Sequence, residues 1–148
     1  MPDNVYTVGL HNVGSYQVSC HPFITGGMGE DNGLGVNDEL RIEFPTVAKA
    51  ITVKLDAAVP SKAKALRVHF NSHSSSARWE DGRHWFALSS SGDAITINAK
   101  CKEIYLTAPL RPGFTLPADN KLSFTVIAEL TNIPRDRMHE LTGSGLTE

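Results

Sequence analysis

Two-residue alternation of apolar and polar side chains, turn-forming punctuation and a near-absence of helical period predict an all-β protein. The expected architecture is an antiparallel β-sandwich, of jelly-roll or immunoglobulin-like connectivity, with about eight strands and one short C-terminal helix or turn. The residues leave the choice between the two connectivities open.

The strongest strand is "ELRIEF", which places Leu40, Ile42 and Phe44 on one face and Glu39, Arg41 and Glu43 on the other. After Pro45, "AITVKL" turns Ile51, Val53 and Leu55 to one side, and "LRVHF" does the same with Leu66, Val68 and Phe70. The longest alternating run is "KLSFTVIAEL", with Leu122, Phe124, Val126, Ala128 and Leu130 on a shared face. Weaker candidates are "SYQVSC", "HWFAL", "AITIN" and "KEIYL". Pro45, Pro60 and Ser91-Gly92-Asp93 separate these runs. In "APLRPGFTLPADN" the prolines 109, 112 and 117 exclude a helix and predict an extended connection. Only "NIPRDRMHELTG" reads as helical, with Pro134 near a first turn and Gly143 placed to end it.

With 148 residues the chain is long enough for one domain, 1–148, to bury a core without metal or disulfide staples. Apolar residues make up 41% and charged ones 20%, a composition too apolar for intrinsic disorder. Residues 1–12, with Val5, Tyr6, Val8 and Leu10 on a polar background, read as an extended N-terminal arm suited to adding a strand to a neighbour's sheet. The net charge of −2 and the scattered lysines and arginines lack the concentrated positive footprint that a nucleic-acid partner requires. No run approaches the roughly 18 apolar residues of a membrane span, and the N-terminus lacks the basic start and apolar run of a signal peptide. The expectation is a chain made and kept soluble, with neither nucleic acid nor membrane as partner.

No cofactor or metal is expected. Cys20 and Cys101 lie far apart without C-x-x-C spacing; they read as two small buried side chains or as one bridge. The glycine-rich "TGGMGEDNGLGVN", residues 25–37, lacks the terminal Lys-Ser/Thr and following helix of a phosphate loop, and is expected to be a flexible β-connection. Glu30, Asp31 and Asp38 within and beside it match no calcium-loop spacing.

The chemically richest stretch is "VHFNSHSSSARWEDGRHWFAL", residues 68–88, which holds three of six histidines and both tryptophans. His69 and His73 sit about 13 Å apart on a strand, too far to share a zinc ion. Ser74, Ser75 or Ser76 with His84 and Asp81 lack a strand-turn-helix elbow, and Cys20 and His21, as strand neighbours, point to opposite faces. No catalytic residue is assigned, and a non-enzymatic protein is expected. Asp81-Gly82 instead signals a hairpin in which Arg78 faces Trp85, Trp79 faces His84 and Glu80 faces Arg83. Arg78, Trp79, Arg83 and Trp85 at such a tip, together with Tyr6, Val8 and Leu10 of the arm, form the candidate protein interface. A tryptophan that caps the core is the competing reading, and a sugar-binding platform of Trp79 and Trp85 is another.

Three segments, "HNVGSYQVSCHPFITG" (11–26), "ITINAKCKEIYL" (95–106) and "AELTNIPRDRMHELTGSGLTE" (128–148), resemble small virion structural proteins of tailed bacteriophages, particularly those of cyanobacteria and other aquatic hosts. The resemblance covers much of the chain through unspecific motifs. It implies a capsid decoration or cement protein, made in the host cytoplasm and placed on the capsid surface. Its partners would be the major capsid protein and copies of itself in a homo-oligomer, with a neck or tail component as the alternative.

Overall fold

The computed structural model describes residues 21–28, 32–35, 38–56, 65–72, 85–109, 113 and 121–139. They form nine strands: β1 (His21–Gly27), β2 (Leu34–Gly35), β3 (Glu39–Leu55), β4 (Leu66–His69), β5 (Trp85–Leu88), β6 (Ala94–Ile97), β7 (Cys101–Thr107), β8 (Lys121–Leu122) and β9 (Phe124–Pro134). A single 3-10 turn, Arg135–Arg137, follows β9. All pairings are antiparallel. Seven strands form one sheet in the order β1-β9-β3-β7-β4-β5, with β6 paired to the second half of β3, and β2 and β8 form a separate two-stranded ribbon.

The sandwich is this one sheet folded over on itself. At one end of β3, Glu39 pairs with Thr107, which pairs with Arg67 of β4, and β5 lies beyond. At the other end, Lys54 pairs with Ala94 of β6. A straight strand from Glu39 to Lys54 would run about 50 Å, whereas the link from Leu88 to Ala94 reaches about 21 Å at full extension. β3 must therefore bend, and its two halves face each other across the core. One apolar cluster joins Ile42, Phe44, Leu66, Val68, Ile104 and Leu106 of one layer to Ile51, Val53, Leu55, Val126, Ala128 and Leu130 of the other. Leu34 and Leu122 of the ribbon are buried in the same cluster.

The bend lies where "ELRIEF" and "AITVKL" meet, so the sequence reading of two strands broken at Pro45 is corrected to one 17-residue strand. Core-facing positions are even in the first half (Ile42, Phe44) and odd in the second (Ile51, Val53, Leu55), and consecutive residues are buried at Val47-Ala48 and Ala50-Ile51. The phase can flip only through extra residues, and the pairing of β3 shifts register between Glu43 and Ala48 against β7 and again around Ala48 against β9. Pro45 is exposed within this stretch of broken β7 ladder, where a missing N–H costs no bond to that neighbour. Side chains take up the carbonyls there: Thr131 Oγ1 donates to Val47 O at 2.7 Å, Thr46 Oγ1 to Thr131 O at 2.5 Å, and Arg135 Nη1 to Phe44 O at 3.0 Å.

The run "KLSFTVIAEL" becomes β8 and β9 with all five named side chains buried. "HWFAL", "AITIN" and "KEIYL" supply β5, β6 and β7. "NIPRDRMHELTG" supplies the expected short C-terminal turn: β9 runs to Pro134, which caps the 3-10 turn Arg135–Arg137, the only helical geometry among its described residues. Ile133 alternates inward, fully buried, and carries the strand up to Pro134, where the turn begins. Part of the 25–37 segment is also regular, since 25–27 belong to β1 and 34–35 to β2. The strand "HPFITGG" escapes the alternation test because Pro22, Gly26 and Gly27 dilute its pattern. "SYQVSC", the arm 1–12 and most of the 107–120 connection lie outside the described residues.

Candidate functional site

Register places a grid of polar side chains on the face of β3, β7, β4 and β5 that points away from the core. Directly opposed residues share a face, so Glu39, Thr107, Arg67 and Ala87 make one row, Arg41, Tyr105, His69 and Trp85 the next, and Glu43 and Glu103 a third. This face is covered too. Arg67, His69, Glu103, Tyr105 and Thr107 are all buried, which leaves β4 buried along its whole length on both faces. Buried polar groups must find partners, and these do.

Glu103 is the centre of the grid. Its Oε2 accepts from Arg41 Nε at 2.7 Å and pairs with Arg41 Nη2, while Arg135 Nη2 stands 3.6 Å away. Its Oε1 accepts from the Tyr105 hydroxyl at 3.3 Å. Both arginines also reach Glu43, at 2.9 Å from Arg41 and 3.3 Å from Arg135. The hydrogen bond to Glu103 raises the Arg41 pKa above its ordinary value. Burial raises that of Tyr105, and the neighbouring Glu103 charge adds to the effect.

His69 extends the network. Its ring stacks on Tyr105 with centroids 5.8 Å apart and planes 16° from parallel. Nδ1 lies 2.5 Å from the Asn71 carbonyl, which can only accept, so Nδ1 donates there, and Nε2 is hydrogen-bonded to Thr107 Oγ1 at 3.1 Å. Alongside, the Arg67 guanidinium sits 3.9 Å from the Trp85 ring centroid. Ser72 Oγ donates to Glu39 Oε1 at 2.6 Å. With Glu103 accepting on both oxygens and His69 engaged on both nitrogens, the arrangement ties three strands and the 3-10 turn together; it holds geometry in place.

Of the residues singled out from sequence, Trp85 is described and half-buried. Its cross-strand neighbour is His69, and its arginine partner is Arg67. One face of the indole is therefore taken by a guanidinium, which leaves at most the other for a sugar ring. Tyr6, Val8, Leu10, Arg78, Trp79 and Arg83 lie outside the described residues, as do His73, Ser74, Ser75, Ser76, Asp81, Gly82, His84, Glu30, Asp31 and Cys20. Cys101 carries a free, fully buried thiol. Burial, and then the Glu103 charge, pushes its pKa up to about 12. Among the described residues no group of three or more His, Cys, Asp or Glu is placed to hold a metal ion, and no helix is long and apolar enough to cross a membrane.

A second feature lies in the other layer. The large hydrophobic side chains that stand exposed among the described residues are Ile24 at 69%, Met28 at 77% and Ile127 at 42%. Ile24 and Ile127 are directly paired across β1 and β9, and Met28 follows the end of β1. Beside them Ile24, Thr25, Gly26, Gly27, Met28, Asp56, Phe124 and Thr125 line an open groove of about 500 Å³. β1, "HPFITGG", carries no Asp, Glu, Lys or Arg and, among the described residues, pairs on one side only, with β9.

No protein-family model, curated protein or solved structure matches the chain. Sequence reasoning missed both features. Glu103 and Tyr105 sit in a run read only as a weaker strand candidate, and the pairing that sets Glu103 against Arg41 and Arg135 spans 62 residues in one case and 32 in the other. The usable signal was that alternation in "CKEIYLT" leaves a carboxylate and a phenol on the face opposite Ile104 and Leu106.

Proposed function

We propose that this chain is a non-enzymatic structural protein of a tailed-bacteriophage virion, decorating or cementing the capsid through contacts with the major capsid protein and with copies of itself. The observation that carries the binding half of this reading is the exposed Ile24–Ile127 pair, in which Ile24 lies on an uncharged strand at one end of the sheet order. Strand edges without charged residues are templates for pairing with another chain, and an apolar stripe along such an edge marks an interaction surface. The virion half rests on the resemblance of residues 11–26, 95–106 and 128–148 to phage structural proteins. On a symmetric shell, many copies let individually weak contacts act together. The internally satisfied polar grid fits a rigid building block, since its donors and acceptors are spent on holding strands.

The test is localisation. Mass spectrometry and electron cryo-imaging of purified particles from the phage encoding this chain should find it in many symmetric copies on the outer shell. Density confined to the neck or tail would replace the capsid by that location, and absence of the chain from the particles would overturn the virion reading.

A further inference from the structure

Backbone direction along β9 alternates between its two neighbours. Asp56 N–H donates to Ser123 O at 2.9 Å, one step beyond the Leu55–Phe124 pair of the β3–β9 ladder. Ser123 and the residues in phase with it, Thr125, Ile127 and Glu129, therefore direct their N–H and C=O groups at β3. The residues between them direct theirs at β1, where their partners are His21, Phe23, Thr25 and Gly27. Pro22, Ile24 and Gly26 are left with their backbone groups turned away from β9, toward the outer edge of the sheet order. Pro22 agrees with this, because a proline sits in a strand where its nitrogen faces no ladder partner. On the face away from the core the same register sets Ile24, Ile127, Thr52 and Thr96 in one row across β1, β9, β3 and β6, with the two threonine hydroxyls 2.8 Å apart.

We propose that the occupant of this edge is β1 of a second copy of the chain, paired antiparallel about a two-fold axis at Ile24. The inference rests on the reading of the edge as an interaction surface and names what binds there. Ile24 is the middle residue of His21–Gly27, so an axis at this point aligns the two strands over their whole length. The two Ile24 residues then exchange N–H and C=O bonds, and Gly26 N–H of each copy reaches Pro22 O of the other. Charge favours the arrangement. β1 carries no Asp, Glu, Lys or Arg to repel its own image, and exposed Glu129 lies in the row of Pro22, which continues into Gly26 and Thr125 of the second copy. The row through the axis joins Ile127 and Ile24 of one copy to Ile24 and Ile127 of the other, an apolar centre with a Thr52 hydroxyl on either side. A seven-residue edge, about 23 Å long, covers on the order of a few hundred Å² per partner, against about 800 Å² for a standard stable interface. The pair is thus a weak one, formed at high concentration and reinforced wherever copies are brought side by side.

Analytical ultracentrifugation of the full chain tests it, with Ile24→Lys and Ile24→Glu as variants that fold because the side chain is 69% exposed, as melts verify. The parent is expected to pass from monomer to dimer between about 10 μM and about 1 mM. Each variant sets two like charges face to face at the axis and should weaken association at least about tenfold, whereas an equimolar mixture of I24K and I24E faces Lys with Glu and should recover it to within about threefold of the parent. Recovery on mixing is specific to self-pairing at residue 24, since a different segment seated on the edge would meet each variant separately. A parent monomeric throughout this range, association that survives in both variants, or a mixture no stronger than I24K or I24E alone would overturn the dimer. The edge as a shell-binding surface is judged separately, by co-sedimentation with assembled shells, and stands or falls without the dimer.

Discussion

Glu43 and Glu103 stand directly opposite each other on neighbouring antiparallel strands. Like charges in this position repel. The fold answers with two arginines, Arg41 from β3 and Arg135 from the 3-10 turn, each of which reaches both carboxylates. An alternating quartet results, and it links the first half of β3, β7 and the end of β9 on the face away from the core.

Removing one cation should therefore expose the repulsion. Arg41→Ala is expected to cost about 1–2 kcal/mol, less than for a fully buried pair because Arg41 and Glu43 are half exposed. Glu43→Gln in the same chain should recover part of this, because it removes the opposed charge. A urea-unfolding double-mutant cycle reads the coupling, and strictly additive effects would show that the quartet is not a unit.

Stability should fall at alkaline pH. The Cys101 pKa, ordinarily 9.0, is pushed up to about 12 by burial and Glu103, and that of Tyr105 is raised by burial and the same charge. Below pH 9 the thiol is neutral folded and unfolded and contributes no slope. Between about 9 and 12 the unfolded chain releases a proton that the folded one keeps, so the unfolded state binds fewer protons and stability drops as pH rises, by up to about 1.4 kcal/mol per unit for one group. Cys101→Ala should flatten this limb in melts between pH 8 and 11. In the native protein the thiol should resist iodoacetamide at pH 8 and react on unfolding.

Two glycines should fail for different reasons. A Cβ on Gly27 would overlap the Asn32 carbonyl oxygen, and its nearest neighbours are all Asn32–Gly33 backbone, with no flexible side chain to give way. Gly27→Ala should cost about 2–3 kcal/mol through this clash. Gly92 has open space around its Cα but φ of +87° in the turn between β5 and β6. Gly92→Ala should cost about 1 kcal/mol through backbone strain alone, and Gly92→Asn less. Thermal melts rank the three, and an asparagine as costly as the alanine at 92 would refute the conformational account.

Ile24→Lys should leave folding stability within about 0.5 kcal/mol, because the side chain is 69% exposed, and should weaken association. Co-sedimentation with assembled shells at micromolar protein is the readout. Unchanged binding by both Ile24→Lys and Ile127→Lys would move the interface away from this edge.

Most of the fold was legible because burial on one face of a strand imposes a period of two. The inward sets Ile42/Phe44, Ile51/Val53/Leu55 and Phe124/Val126/Ala128/Leu130 could be read from neighbours two positions apart. Pro45 misled because proline marks a place where a backbone donor is lost, and only the neighbouring strand decides whether a donor was needed there. β1 hid behind its glycines, whose value lies in close backbone approach, of Phe124 to Gly26 and of Asn32 to Gly27.

By itself the sequence determined which residues face inward and that the secondary structure is β, because both follow from local alternation. Tertiary structure alone decided that two runs form one bent strand, that Glu103 meets Arg41 and Arg135, and that Ile24 meets Ile127 in the open. These outcomes depend on which strands become neighbours. Pairing register is a property of two segments far apart in the chain, and no local pattern encodes it.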